Sequence, residues 1–150
     1  RTRFSVWCSA TSDPDATVGA GCFWVDQTGL LFERAPETAG QLVLAVYDDA
    51  PASQLILGER VLAPEQFQVA SKIFTSDLLR QISISSIKLV RSLQELRAAT
   101  QNGTKIMFSL RFDPDATALP ALAKFMESPG LNKLEYVNLT VENRAFVKYR

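Results

Sequence analysis

The sequence predicts an α+β domain, a mostly antiparallel β-sheet with two helices packed on one face. Three observations carry this reading. Apolar residues alternate with polar ones in several short segments, the period of half-buried strands. Two other segments switch to steps of three and four, the period of helices. Turn residues separate them in the order strands, helix, meander, helix, hairpin, which matches helices set on one side of a sheet.

The first element is Phe4–Trp7, which alternates like a strand and is followed by a long loop from Ser9 to Gly21. Cys22–Asp26 and Leu30–Phe32 then form a hairpin around Gln27-Thr28-Gly29, because glycine supplies the positive φ that the reversal needs. Ala35–Gly40 breaks the pattern before a buried strand at Gln41–Tyr47, and Asp48–Ser53 is loop. Pro64 suits a first helical position, and Phe67, Ala70, Ile73, Phe74 and Leu78 give one helix over Pro64–Gln81.

The meander takes Ile84–Val90, Gln94–Ala98 and Lys105–Phe112, with Asn102-Gly103 at its last reversal. In its third strand Ile106, Phe108, Leu110 and Phe112 share one face and Lys105, Ser109 and Arg111 the other, so one face is core and one is wet. Asp113 and Pro114 read as N-cap and first residue of the second helix, whose apolar stripe is Leu119, Leu122, Phe125 and Met126. Pro120 fits that helix only within its first turns, and Pro129-Gly130 ends it. The last stretch, Leu134–Arg150, holds two alternating strand patterns hinged at Glu142-Asn143-Arg144. A chain that stops inside a strand pattern offers a sheet edge whose main-chain groups can pair with a partner strand.

At 150 residues the chain fits one domain that buries about 70% of its unfolded surface. Acidic and basic residues balance at 16 each, which leaves no footprint for nucleic acid or anionic lipid. No apolar run reaches the roughly 20 residues needed to cross a bilayer, and there is no signal peptide. Starting at Arg1 rather than Met, the chain reads as a fragment or processed product, from which a membrane anchor could have been removed.

Cys8 and Cys22 bracket the loop rich in Ser, Asp, Pro and Gly. Paired, they would stabilise the fold by about 3 kcal/mol and place the domain in an oxidising compartment; unpaired, they are two half-buried thiols. The absence of histidine removes Ser-His and Cys-His nucleophile systems, and two cysteines alone make no ordinary zinc site. Asp26, Asp48 and Asp49 lie near strand ends, where a carboxylate pair can act on a glycosidic bond, but turn chemistry explains them as well. Asp-Pro-Asp-Ala-Thr occurs twice, at Asp13–Thr17 and Asp113–Thr117. Two carboxylates per copy fall short of calcium's six to eight oxygens, so these are turns and caps, and no cofactor is expected. No phosphate-binding glycine loop is present, and the sequons at Asn102 and Asn138 are too short to be informative. Trp7, Phe23, Trp24 and Phe32 suit a sugar-binding groove or, with better reason, a core.

Taken together, these residues resemble the extracytoplasmic β domain of the bacterial cell-division family FtsQ/DivIB. The resemblance rests on Arg3–Trp7, similar to the end of that family's POTRA domain, and on the Phe23–Phe32 hairpin with Val25, Asp26, Gly29 and Phe32 at the family's spacing. It continues through the helix-to-meander order to the strand Tyr136–Thr140, and so covers nearly the whole chain. Asn138 and Thr140 stand where the family usually has aspartate and arginine, and Cys8 and Cys22 are not general to it.

The resemblance implies that residues 1–8 end a truncated POTRA domain and that 9–150 form the β domain. It implies a single-pass membrane protein, anchored by an N-terminal helix absent from this sequence, with the β domain outside the membrane at the division septum. Such a protein is a non-enzymatic scaffold that binds FtsB-like and FtsL-like division proteins and supports septal peptidoglycan synthesis. Carried over by position, the strand that receives the FtsB strand falls on Val141, Asn143, Arg144, Ala145, Val147 and Tyr149, with Phe146 and Lys148 on the opposite face. The alternative from another class is an extracytoplasmic domain that binds cell-wall glycan near Trp7 and Trp24.

Overall fold

The computed structural model describes residues 2–9, 21–36, 44–50 and 54–150. The expected loop between Ser9 and Gly21, the first Asp-Pro-Asp-Ala-Thr copy, positions 41–43 of the expected strand and 51–53 of the following loop lie outside the described residues. The chain divides into two units, Arg1–Gln68 and Val69–Arg150.

The first unit holds β1 (Ser5–Ser9), β2 (Cys22–Val25), β3 (Leu31–Arg34) and β4 (Ala45–Asp48), in the spatial order β3-β2-β1-β4. β1 runs antiparallel to β2 and parallel to β4. All five residues of β1 are buried, as a central strand packed on both faces requires. This strand runs across position 8, where the resemblance sets a domain boundary.

On one face of β1, Val6 and Cys8 cluster with Cys22, Trp24 and Ala35, and Phe32 and Ala45 pack against them. Cys8 stands directly opposite Cys22 and is joined to it by a disulfide. On the other face Trp7 meets Phe67, their ring centroids 6.5 Å apart, and Phe4 meets the same ring at 6.1 Å. The hairpin motif has a structural cause. Oδ1 of Asp26 accepts hydrogen bonds from the Thr28 N–H (2.8 Å), the Thr28 hydroxyl (2.6 Å) and the Leu30 N–H (3.1 Å). Gly29 has φ +89°, and a β-carbon there would lie 2.8 Å from Cγ of Phe67. Turn and ring together demand glycine.

The second unit holds β5 (Ile84–Val90), β6 (Glu95–Thr100), β7 (Lys105–Ser109), β8 (Leu134–Leu139) and β9 (Phe146–Tyr149), adjacent in that order. β5, β6 and β7 form the expected antiparallel meander, with the reversal at Asn102-Gly103 closed by Thr100 N–H to Thr104 O (2.9 Å). β7 and β8 are parallel, and β8 and β9 antiparallel. Both units therefore contain a parallel pair, and the sheet is mixed rather than mostly antiparallel. Side-chain alternation has period two in either case, so periodicity does not register strand direction.

The helices also differ from expectation. The single helix expected over Pro64–Gln81 is two, α1 (Pro64–Phe74) and α2 (Asp77–Gln81). The Thr75 hydroxyl bonds back to Ser71 O at 2.8 Å, and the extended Ser76 caps α2 by accepting from the Leu78 N–H at 3.2 Å. Short hydroxyl side chains compete for helical main-chain groups and so end one helix and begin the next. With α3 (Ala118–Glu127) the described residues hold three α-helices instead of two.

α3 starts four residues after Pro114, with Thr117 before it, because Asp113 turns on itself by accepting from the Asp115 N–H at 2.9 Å. Pro120 is its third residue, where no intrahelical N–H is missed. Gly130, at φ +94°, closes it by donating to Phe125 O. In this unit Ile87, Leu89, Leu96, Ala98, Ile106, Phe108, Val137 and Leu139 share the buried sheet face. Lys88, Arg97, Lys105 and Lys148 stand exposed on the other.

Candidate functional site

β9 is the outermost strand of the second unit. Its approach is set by two local devices. Oδ1 of Asn138 accepts from the Thr140 N–H (3.0 Å) and the Thr140 hydroxyl (2.6 Å), which bends the chain out of β8. Arg144 N–H then bonds to Val141 O (3.1 Å) across a turn in which Asn143 takes φ 64°. Asparagine tolerates that region better than other non-glycine residues. Its Oδ1 also accepts from the Thr117 hydroxyl at 3.2 Å, tying the turn to the start of α3. Beside the turn lies an open cavity of ≈ 350 Å³ lined by Arg111, Phe112, Thr140, Val141 and Glu142.

β9 pairs with β8 through Asn138 and Phe146, Val137 and Val147, and Tyr136 and Lys148. The N–H of Arg150 donates to Lys133 O at 3.1 Å. Main-chain groups of an extended strand alternate sides, so the N–H groups of Lys148 and Phe146 also face β8. Those of Val147 and Tyr149 then point away, toward an edge that no strand of the described residues pairs with. An aromatic ring flanks that edge on each face. Phe146, 46% exposed, shares the open face with Asn138, and Tyr149, 61% exposed, stands across from Leu134.

The six residues assigned to partner binding thus lie on one continuous segment but in two settings. Val147 and Tyr149 are in β9, whereas Val141, Asn143 and Arg144 form the turn and Ala145 leads out of it. The paired stretch is the four residues Phe146–Tyr149. Phe146, which the carry-over by position places on the opposite face, stands exposed beside those six, and no local signal in the sequence marks that face as open. Sequence reasoning also missed Arg150, whose guanidinium reaches residues far away in sequence.

The other candidate groups have structural partners. The Asp26 carboxylate holds its turn, and Oδ2 of Asp48, fully buried, accepts from the Trp7 indole N–H at 2.8 Å while Oδ1 accepts from the Ala50 N–H at 2.9 Å. Asp113 and Asp115 face the Lys72 ammonium at 3.2 and 3.5 Å. Bonding from the Asp115 N–H, then from Lys72, holds the Asp113 carboxyl below its ordinary pKa, and the bond to Asp113 raises that of Lys72. Among the described residues Trp7 is fully buried, and Trp24 is buried with the Arg3 guanidinium 5.0 Å above its ring. Among the described residues no helix is long and apolar enough to cross a membrane. Neither comparison with protein-family models nor comparison with curated proteins finds a match to this chain.

Proposed function

We propose that this chain is a non-enzymatic scaffold that takes up a strand of a partner protein along β9, in the manner of the FtsQ/DivIB family it resembles. The observation that carries the reading is the free edge at Val147 and Tyr149, flanked by Phe146 and Tyr149. An added strand gains main-chain bonds to these residues and apolar contacts on both faces, and so affinity and register together. In this reading the partners are FtsB-like and FtsL-like proteins, and a membrane-anchored POTRA segment precedes the β domain. The complex acts at the division septum on septal peptidoglycan synthesis. The disulfide at Cys8 and Cys22 supports an extracytoplasmic location, since such bonds persist in oxidising compartments.

Calorimetric titration with the extracytoplasmic segment of the FtsB-like protein from the same genome tests this. Saturable binding, absent for a segment of the same composition in shuffled order, is expected. Equal binding of both segments, or of neither, refutes the proposal.

A further inference from the structure

β9 buries little of itself. Phe146, Lys148 and Tyr149 are exposed and Val147 is only half-buried, so apolar contact gives this strand a weak hold on the sheet. Besides the ladder with β8 and the Lys148–Glu135 ion pair at 3.3 Å, the residue that follows β9 ties it to three further segments. Beyond its main-chain bond to Lys133 O, Arg150 donates from Nε to Leu134 O at 3.2 Å. Its Nη2 donates to Asn102 O and lies 3.3 Å from the Thr104 hydroxyl. One guanidinium thus grips the start of β8, the β6–β7 turn and the start of β7.

The receiving groups are themselves fixed. Thr104 is fully buried, its hydroxyl lies 2.6 Å from Leu131 O and 2.9 Å from Leu134 O, and its N–H bonds to Oγ1 of Thr100 at 3.1 Å. Gly103 is required by its φ of +89° rather than by the fork, since a β-carbon there would make only ordinary contact with Nη2, at 3.5 Å. Only arginine presents several donors in a rigid plane, so lysine at this position keeps the charge and loses the grip.

We infer that Arg150 is the positioning residue of the strand-uptake site, a clamp that holds β9 in the sheet so that its outer edge is presented in one register. Released, β9 frays from β8, and an incoming strand meets a mobile segment in place of a formed edge. The clamp concerns β9 alone and can be tested without a partner; its effect on uptake rests on the function proposed above.

The test is amide exchange by NMR on the free chain, comparing wild type with Arg150→Met and Arg150→Lys. Charge-assisted bonds of this kind predict exchange faster by about tenfold or more at Phe146 and Lys148 in both variants, with Leu96 and Phe108 unchanged. Unchanged protection in β9, or equal acceleration through β6 and β7, overturns the clamp. For uptake, Arg150→Met weakens binding of the partner segment, and a Tyr136→Cys, Lys148→Cys disulfide that staples β9 to β8 outside the six partner-binding positions restores it. If wild type binds no segment, the proposed function fails while the exchange result still decides the clamp. If wild type binds and Arg150→Met binds equally well, the positioning role is overturned.

Discussion

The indole N–H of Trp7 donates to Oδ2 of Asp48 at 2.8 Å, both side chains fully buried. A carboxylate in that setting depends on each of its donors. Trp7→Phe keeps most of the ring and removes one. Losing a bond to a charged acceptor, with some packing, predicts a cost of about 2 to 4 kcal/mol in urea unfolding. A double-mutant cycle with Asp48→Ala then shows positive coupling, and strict additivity refutes the pairing.

Gly29→Ala strains the chain twice, through a positive φ and through the 2.8 Å approach to Phe67. Backbone strain and overpacking together predict a loss of about 2 to 5 kcal/mol by denaturant titration. The companion change Phe67→Leu relieves part of it if the close approach is real. A Gly29→Ala protein as stable as wild type contradicts the geometry.

The Cys8–Cys22 bond closes a loop at a sequence separation of 14. Replacing both cysteines by alanine predicts a loss of about 3 kcal/mol, which at this chain length lowers Tm by roughly 6 to 12 °C. Both cysteines are at most 4% exposed, so the folded protein resists reductants that cleave the bond once it is unfolded. Scanning calorimetry with and without reductant measures both effects.

The Lys72–Asp113 pair gives a small, signed pH dependence. The Asp113 pKa is lowered on folding, so its contribution is present above the ordinary carboxylate range and lost as pH falls through the lowered value. The Lys72 pKa is raised, so its contribution is present below the ordinary lysine value and lost as pH rises through the raised one. Both groups are exposed, which keeps the effect modest. In thermal melts, the stability difference between wild type and Asp113→Asn shrinks toward zero as pH falls through the lowered Asp113 pKa. A difference independent of acid pH contradicts the assignment.

Much of the local chemistry was legible in the sequence, because it lives within a few residues. The spacing of Asp26 and Gly29 marks the hairpin, Asn102-Gly103 the reversal, and Glu142-Asn143-Arg144 the hinge, where Asn143 takes the positive φ. The break at Thr75-Ser76 was hidden because Phe67, Ala70, Ile73, Phe74 and Leu78 keep one apolar period across it. The parallel pairings of β1 with β4 and β7 with β8 were hidden because alternation carries no direction. At the edge, alternation separated Val147 from Phe146 correctly, since they pair with Val137 and Asn138. It could not reveal Arg150, whose partners Asn102 and Thr104 lie 48 and 46 residues away.

The most direct test of strand uptake is hydrogen exchange at Val147 and Tyr149 of the wild type, with and without the partner segment, together with binding and melting of Val147→Pro. In the free chain these two amides point away from β8, so proline at 147 removes no β8–β9 bond and leaves the core unchanged. New protection at Val147 and Tyr149 is expected on binding in wild type, and loss of binding in Val147→Pro with an unaltered melting curve. Binding that protects residues elsewhere and tolerates Val147→Pro would contradict it.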